Sequence, residues 1–313
     1  MVGWHLLLLG MIEISIYGAA GRHFYIAFGW SVSSSIALAV ATYVGVRIVL
    51  VAAEFRIARW KGAPIPAAMR VPPLGLLRMY LREIGGWLLM FTFVMPFVLS
   101  RRSVVNRTSR APAAGTVPVL LIHGLACNRG SWFWFRRQLE QRGYCVYTVD
   151  CTPPFTKVAN YARQIARAVD EILEASGADR LVLVGHSMGG LVSRAYLDQF
   201  GSGKVAHVIT LGTPHLGTWM SHFGVSQNVR DMAEDSRWLD KLREREAGRS
   251  DDPYANFTCI YTYHDNLVTP QANAALPGAE LIALSGIGHL SLALSGRVVQ
   301  KVVAVLERLR IAT

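Results

Sequence analysis

The stretch LVLVGHSMGGLVSRAYL (Leu181–Leu197) places one serine, Ser187, inside Gly185-His186-Ser187-Met188-Gly189. A G-x-S-x-G pattern between an apolar strand-like run and a helical run marks a sharp strand–turn–helix that raises a nucleophile off a sheet. Side chains two positions to either side of the serine would collide across so tight a turn, and glycine at both flanks removes the collision. The helix that begins at the serine also points its amide donors and positive dipole end at the reacting centre.

A serine hydroxyl is a weak nucleophile and needs a base oriented by a third group. Behind such an elbow the partners follow in chain order, a carboxylate and then a histidine, at the ends of later strands. FTCIYTYHDNLVTP supplies Asp265 just past one strand-like run, and ELIALSGIGHLSL supplies His289 in a glycine-rich loop after the next. In this reading His289 takes the Ser187 proton and returns it to the leaving group, while Asp265 fixes the imidazole tautomer. His264 is a rival base, but it precedes the acid position and has no later carboxylate in a matching slot. LLIHGLACNRGSW (Leu120–Trp132) ends a strand in His-Gly, where a second oxyanion donor belongs. The expected donors are the backbone N–H groups of Leu125 and Met188. His123 and His186 read as structural, and His215 as shaping a turn.

The elements that must position these residues begin at Val117. Strands are expected at 117–123, 144–150, 180–185, 206–212, 257–263 and 280–285, with helical patterns between and after them. Tyr161, Ile165, Val169 and Ile172 recur at helical spacing, as do Val298, Val302, Leu306 and Leu309. Strands that are apolar throughout, joined by helices, imply a mostly parallel sheet of about six strands covered on both faces, an α/β architecture. An insertion at about 215–250 carries an amphipathic run, Asn228–Leu242, expected to form one helix. With Trp219, Met220 and Phe223 nearby, Met232 and Leu239 are candidate acyl-pocket residues under a cap. An ordinary packed surface helix is the alternative.

Residues 1–100 differ in kind. The chain has 313 residues and a net charge of +11, of which the first 115 residues, with 12 Lys/Arg against three acidic residues, carry +9. An apolar run from Val2 to Ala20 and another from Tyr25 to Ala53 read as a membrane hairpin turning at Gly21–Phe24, since roughly 20 apolar residues cross a bilayer. A cleaved signal peptide fits less well, because no basic stretch precedes the first run. Ile84–Ser100 reads as a short third span, a re-entrant segment or a cap on the domain that follows. Residues 101–116 form a basic linker into a domain covering 117–313. The basic excess therefore suits an anionic membrane surface better than nucleic acid, and no nucleic-acid-binding signature accompanies it. Arginines on both flanks of 84–100 oppose each other in the positive-inside rule, with the balance slightly towards a catalytic domain on the cytoplasmic face of a multi-pass membrane protein.

No dinucleotide fingerprint or zinc-ligand spacing occurs, so neither a cofactor nor a metal is expected. Of four cysteines, Cys145 and Cys259 lie in strand-like runs, and Cys127 and Cys151 are candidates for a bridge. The oligomeric state is not legible.

Taken in order, HGLACNRGSW, GHSMGG, TLGTPHLGTW, HDNLVTP and GIGHLSL resemble the bacterial triacylglycerol lipase and esterase group of α/β-hydrolases over about residues 117–310. The resemblance implies the triad Ser187, Asp265 and His289 on a compact form of the fold, six strands in place of eight, acting on lipid or other apolar esters. Transfer of the acyl group to an acceptor other than water, and a membrane scaffold with an inactive hydrolase-like domain, are the alternatives. Residues 1–116 lie outside the resemblance.

Overall fold

Apolar residues on every side of the first two helices leave no polar face to turn towards water, and the chain resolves this as a long hairpin. In the computed structural model, which describes residues 2–99, 117–249 and 252–311, α1 (Val2–Phe28) and α2 (Val32–Lys61) are long and apolar enough to cross a membrane, by length and composition. The pairs Glu13–Arg47, Tyr17–Tyr43 and Gly21–Ser35 run them antiparallel. The turn is not at Gly21–Phe24, which is helical. It falls at Gly29–Ser31, where Gly29 takes φ +68° and the Ser31 hydroxyl caps α2 by accepting from the Ser34 N–H.

After α3 (Pro73–Leu88) the chain widens into a π-type turn (Leu89–Val94) and then tightens into a 3₁₀ turn (Met95–Phe97). The expected apolar segment from Ile84 is thus broken, and its Met90 and Met95 are buried in the core of the α/β domain. Complete burial of such side chains contributes about 1.5–3 kcal/mol each. The basic linker at 101–116 lies outside the described residues.

The α/β domain contains β1 (Val119–Ile122), α4 (Phe133–Glu140), β2 (Val146–Val149), α5 (Val158–Ser176), β3 (Leu181–His186), α6 (Met188–Phe200) and β4 (Val205–Leu211). It continues with α7 (Gln227–Asp231), α8 (Arg237–Ala247), β5 (Phe257–Thr262), β6 (Glu280–Leu284) and α9 (Gly296–Ile311). The six strands pair in parallel in the order β2-β1-β3-β4-β5-β6. Alternate strand residues face opposite sides. Leu120, Leu183 and Val208 pack under α5 and α6, while Leu121, Val184 and Ile209 pack with α4 and α9. Cys127 joins the second layer and Cys151 the first. The sheet lies between these two thiols, and both are free. Burial raises their pKa values, that of Cys127 to about 12.

Candidate active site

Strand β3 delivers Ser187 to the carboxyl edge of the sheet, beside β1, where the strand order reverses. Crevices at such a switch point are where open α/β sheets bind ligands. Ser187 adopts φ 54°, ψ −123°, a conformation that costs a non-glycine residue about 1–3 kcal/mol. The turn is held from outside: the Ser187 N–H donates to Leu211 O at 2.9 Å, and the Thr213 hydroxyl donates to Ser187 O at 2.9 Å. A Cβ on Gly185 would lie 2.5 Å from the Gly189 carbonyl carbon, and one on Gly189 would lie 2.2 Å from Ile122 O of β1. The two flanking glycines therefore let the elbow close against the neighbouring strand.

His289 begins the turn after β6, and Asp265 lies in the loop after β5. The His289 Nδ1 stands 2.9 Å from Asp265 Oδ2 and 3.0 Å from Oδ1, with both side chains buried. Asp265 Oδ1 also accepts from the N–H groups of Leu267 and Val268 at 2.8 and 2.7 Å, which keeps the carboxylate facing the ring. Burial alone would lower the His289 pKa, but the charge and hydrogen bond of Asp265 outweigh it and raise the value, with Glu83 and Glu54 adding to the rise. A proton on Nδ1, shared with Asp265, leaves Nε2 as the basic nitrogen. Ser187 and His289 line one cavity of about 340 Å³, together with Leu125. Met188 supplies the first residue of α6.

Met220, Phe223 and Met232 also line this cavity. Two expected pocket residues do not. Leu239 is buried in the core layer that includes α6, because the expected single helix Asn228–Leu242 is split into α7 and α8, with a Ser236 cap accepting from Leu239 N–H. Trp219 instead meets Trp60 of α2 edge to face at 6.1 Å, under the Lys61 ammonium.

The other histidines have fixed duties. His123 Nε2 accepts from Cys151 N–H at 3.0 Å, tying the ends of β1 and β2. His186 Nε2 lies 3.0 Å from His289 O; burial, with the neighbouring His289 charge, lowers its pKa to about 3, so it donates as a neutral ring. His215 bonds Thr210 Oγ1 at 2.9 Å. His264 Nδ1 accepts from Gly286 N–H at 3.2 Å, which puts the neutral ring's proton on Nε2, the nitrogen a rival base would need free.

Residues before 117 supply a wall of the cavity, Val51, Glu54, Glu83, Trp87 and Phe91. Trp87 and Phe91 fall in the segment for which a cap is one of three readings, while sequence reasoning missed Val51, Glu54 and Glu83.

Residues 117–258 match the family model described as alpha/beta hydrolase fold. Together with the six-stranded sheet and the serine elbow, the match shows an α/β-hydrolase fold in this part of the chain. The chain is similar to triacylglycerol lipases of Pseudarthrobacter phenanthrenivorans and Burkholderia plantarii, each 34% identical over 119 residues and each aligned to 36% of this chain. The matched stretch covers 37% and 33% of those relatives, so the chain spans about a third of the length of the curated relatives it matches. Among solved structures, the mature Bacillus licheniformis lipase BlEst2 superposes with a TM-score of 0.58 at 19% identity, covering 66% of this chain and 99% of that one. Aspergillus fumigatus lipase B gives 0.53 at 17% identity, covering 61% and 52%. These structural likenesses show the fold.

Proposed function

We propose that this chain is a membrane-held serine hydrolase that cleaves carboxylic esters of lipids or other apolar acids and alcohols. One observation carries the reading: Ser187, on a strained turn, shares a cavity with His289, whose Nδ1 bonds Asp265. His289 Nε2 takes the hydroxyl proton as Ser187 Oγ attacks the ester carbonyl carbon. The N–H groups of Leu125 and Met188 receive the oxyanion, a contribution worth about 3–4 kcal/mol per donor in comparable sites. The alkoxide leaves with the proton from His289. Water, deprotonated by the same ring, then releases the acid from the acyl-enzyme. The similarity to triacylglycerol lipases supports an ester substrate, and the methionine and aromatic lining supports an apolar one. Titrating the acid released from an ester, with and without a competing alcohol, tests the reaction. Stoichiometric free acid is expected, and formation of a new ester in its place would reassign the chain to acyl transfer.

Phe223 is 65% exposed and lines the cavity mouth, so it can be changed with little loss of core packing. At roughly 0.8 kcal/mol per methylene removed from water, Phe223→Ser should lower kcat/KM for a long-chain ester about tenfold. Hydrolysis of a short acetyl ester should hardly change. Equal losses on both would assign Phe223 to structure instead of acyl-chain contact.

The membrane reading rests on α1 and α2, whose apolar side chains, such as Ile14, Ile16 and Val49, are exposed. Arg56, Arg59 and Lys61 gather at the end of α2, a flank that favours the cytoplasmic side. Alkaline carbonate followed by high salt should leave the full-length chain in the membrane pellet. Its appearance in the supernatant would reduce the attachment to surface charge.

A further inference from the structure

The first 115 residues contain three acidic side chains, Glu13, Glu54 and Glu83. Glu13 pairs with Arg47 inside the α1–α2 hairpin. The other two turn away from the hairpin and reach the loops that carry Asp265 and His289.

Glu83, on α3, is 1% exposed. Its Oε1 accepts from Leu290 N–H at 2.7 Å, and its Oε2 accepts from Ser291 N–H at 3.0 Å and from the Ser291 hydroxyl at 2.6 Å. A Cβ on Gly288 would sit 2.4 Å from the same Oε2, so the residue before His289 is a glycine at the point where the carboxylate needs the space. Glu54, on α2, accepts from Asn266 Nδ2 at 2.7 Å, and Asn266 Oδ1 accepts from His289 N–H at 2.9 Å. The His289 carbonyl is bonded by His186. The His289 N–H and carbonyl are thus both held, the N–H through Asn266 to Glu54, and the two residues that follow it are held by Glu83; both carboxylates come from outside the α/β-hydrolase domain.

Burying a carboxylate costs several kcal/mol unless its lone pairs are satisfied and a positive charge is near. The three donors meet the first requirement for Glu83. His289 meets the second when it is protonated, which is the state it passes through in catalysis.

We propose that Glu83 is a positioning residue for His289, supported through Asn266 by Glu54, so that the N-terminal helices complete the active site as well as anchoring it. This deepens the ester-hydrolase reading and rests on it. Glu83 touches no reacting atom: it acts by fixing the loop and by opposing the imidazolium charge. Burial pushes the Glu83 carboxyl up, against the pull of its bonds to Ser291 and Leu290. Among the described residues, the charged or titratable groups facing His289 are Asp265, Glu54, Glu83 and His186.

The test is Glu83→Gln in the full-length, detergent-solubilised protein, with the folded fraction checked by circular dichroism. The amide keeps the volume, loses the charge and sets an NH₂ against a backbone N–H. Small displacements of a catalytic group cost up to ~100-fold, so kcat should fall by ~10- to 100-fold with KM within about twofold. The acid limb of kcat/KM against pH should move to lower pH, because one of the anions that raise the His289 pKa is gone. A purely structural residue would lower activity without moving that limb. Should Glu83→Gln fail to fold, Ser291→Ala removes one donor and keeps the charge, and is expected to lower kcat several-fold at unchanged KM. Wild-type kcat together with an unmoved limb in Glu83→Gln, or wild-type kcat in Ser291→Ala, would overturn the positioning role and leave the hydrolase reading intact. A wild-type protein with no Ser187-dependent hydrolysis would overturn both.

Discussion

Ser187→Ala is expected to retain the fold and lose essentially all ester hydrolysis, because the hydroxyl serves only covalent chemistry. His289→Ala and Asp265→Asn should each lose at least about three orders of magnitude in kcat. The aspartate change is the more informative. Asp265 Oδ1 accepts from the Leu267 and Val268 N–H groups while also facing the ring. An asparagine can keep those two backbone bonds through its single oxygen, which turns its NH₂ towards Nδ1. The ring then has to accept at Nδ1 and carry its proton on Nε2, the tautomer that cannot take a proton from serine. Circular dichroism should therefore be unchanged while turnover collapses. Wild-type turnover in His289→Ala, accompanied by lost turnover in His264→Ala, would reverse the assignment of the base.

Glu246→Ala should produce the largest loss of stability. Arg194, fully buried on α6, donates to Glu246 Oε1 at 3.0 Å and Oε2 at 2.5 Å, and to His215 O at 2.9 Å; the Tyr254 hydroxyl donates to the same Oε2 at 2.7 Å. The cluster ties the nucleophile helix to the 215 turn and to α8. Removing the carboxylate strands a buried guanidinium, which costs about 3–5 kcal/mol. For a domain of this size that is a fall in Tm on the order of 10 °C. Replacing both partners, as Arg194→Met with Glu246→Leu, should restore much of it. The control is Asp198→Ala, which breaks the pair with Arg245, the two side chains being 16% and 49% exposed; pairs that reach solvent contribute about 1 kcal/mol or less. Equal Tm shifts for Glu246→Ala and Asp198→Ala would mean that burial does not set the strength of the inner pair.

Much of the α/β domain was legible because its determinants are local. Each strand is a short apolar run, and the elbow carries its own steric requirement in Gly185 and Gly189. Helix α5 shows its buried face in the spacing of Tyr161, Ile165, Val169 and Ile172. The misplaced hairpin turn has a local cause as well. Residues apolar on all sides give periodicity nothing to report, so the break was decided by the positive φ of Gly29 and the Ser31 cap. Leu239 and Met232 look alike on one helical face and both join the same core layer, but with the helix interrupted before Ser236 only Met232 also lines the cavity. Glu54 and Glu83 were beyond reach for another reason. Their partners Asn266, Leu290 and Ser291 lie more than 200 positions away, and no spacing rule connects helices ahead of a domain to a loop near its end. Arg194 did leave a trace, as a lone charge inside the apolar run LVSRAYL.

The most direct test of the central claim is covalent labelling of the full-length protein with a fluorophosphonate, followed by mass analysis of its peptides. The expected result is a single phosphonyl adduct on Ser187, absent from Ser187→Ala and formed far more slowly in His289→Ala. An adduct that persists in Ser187→Ala, or a wild-type protein that hydrolyses esters without labelling at Ser187, would contradict it.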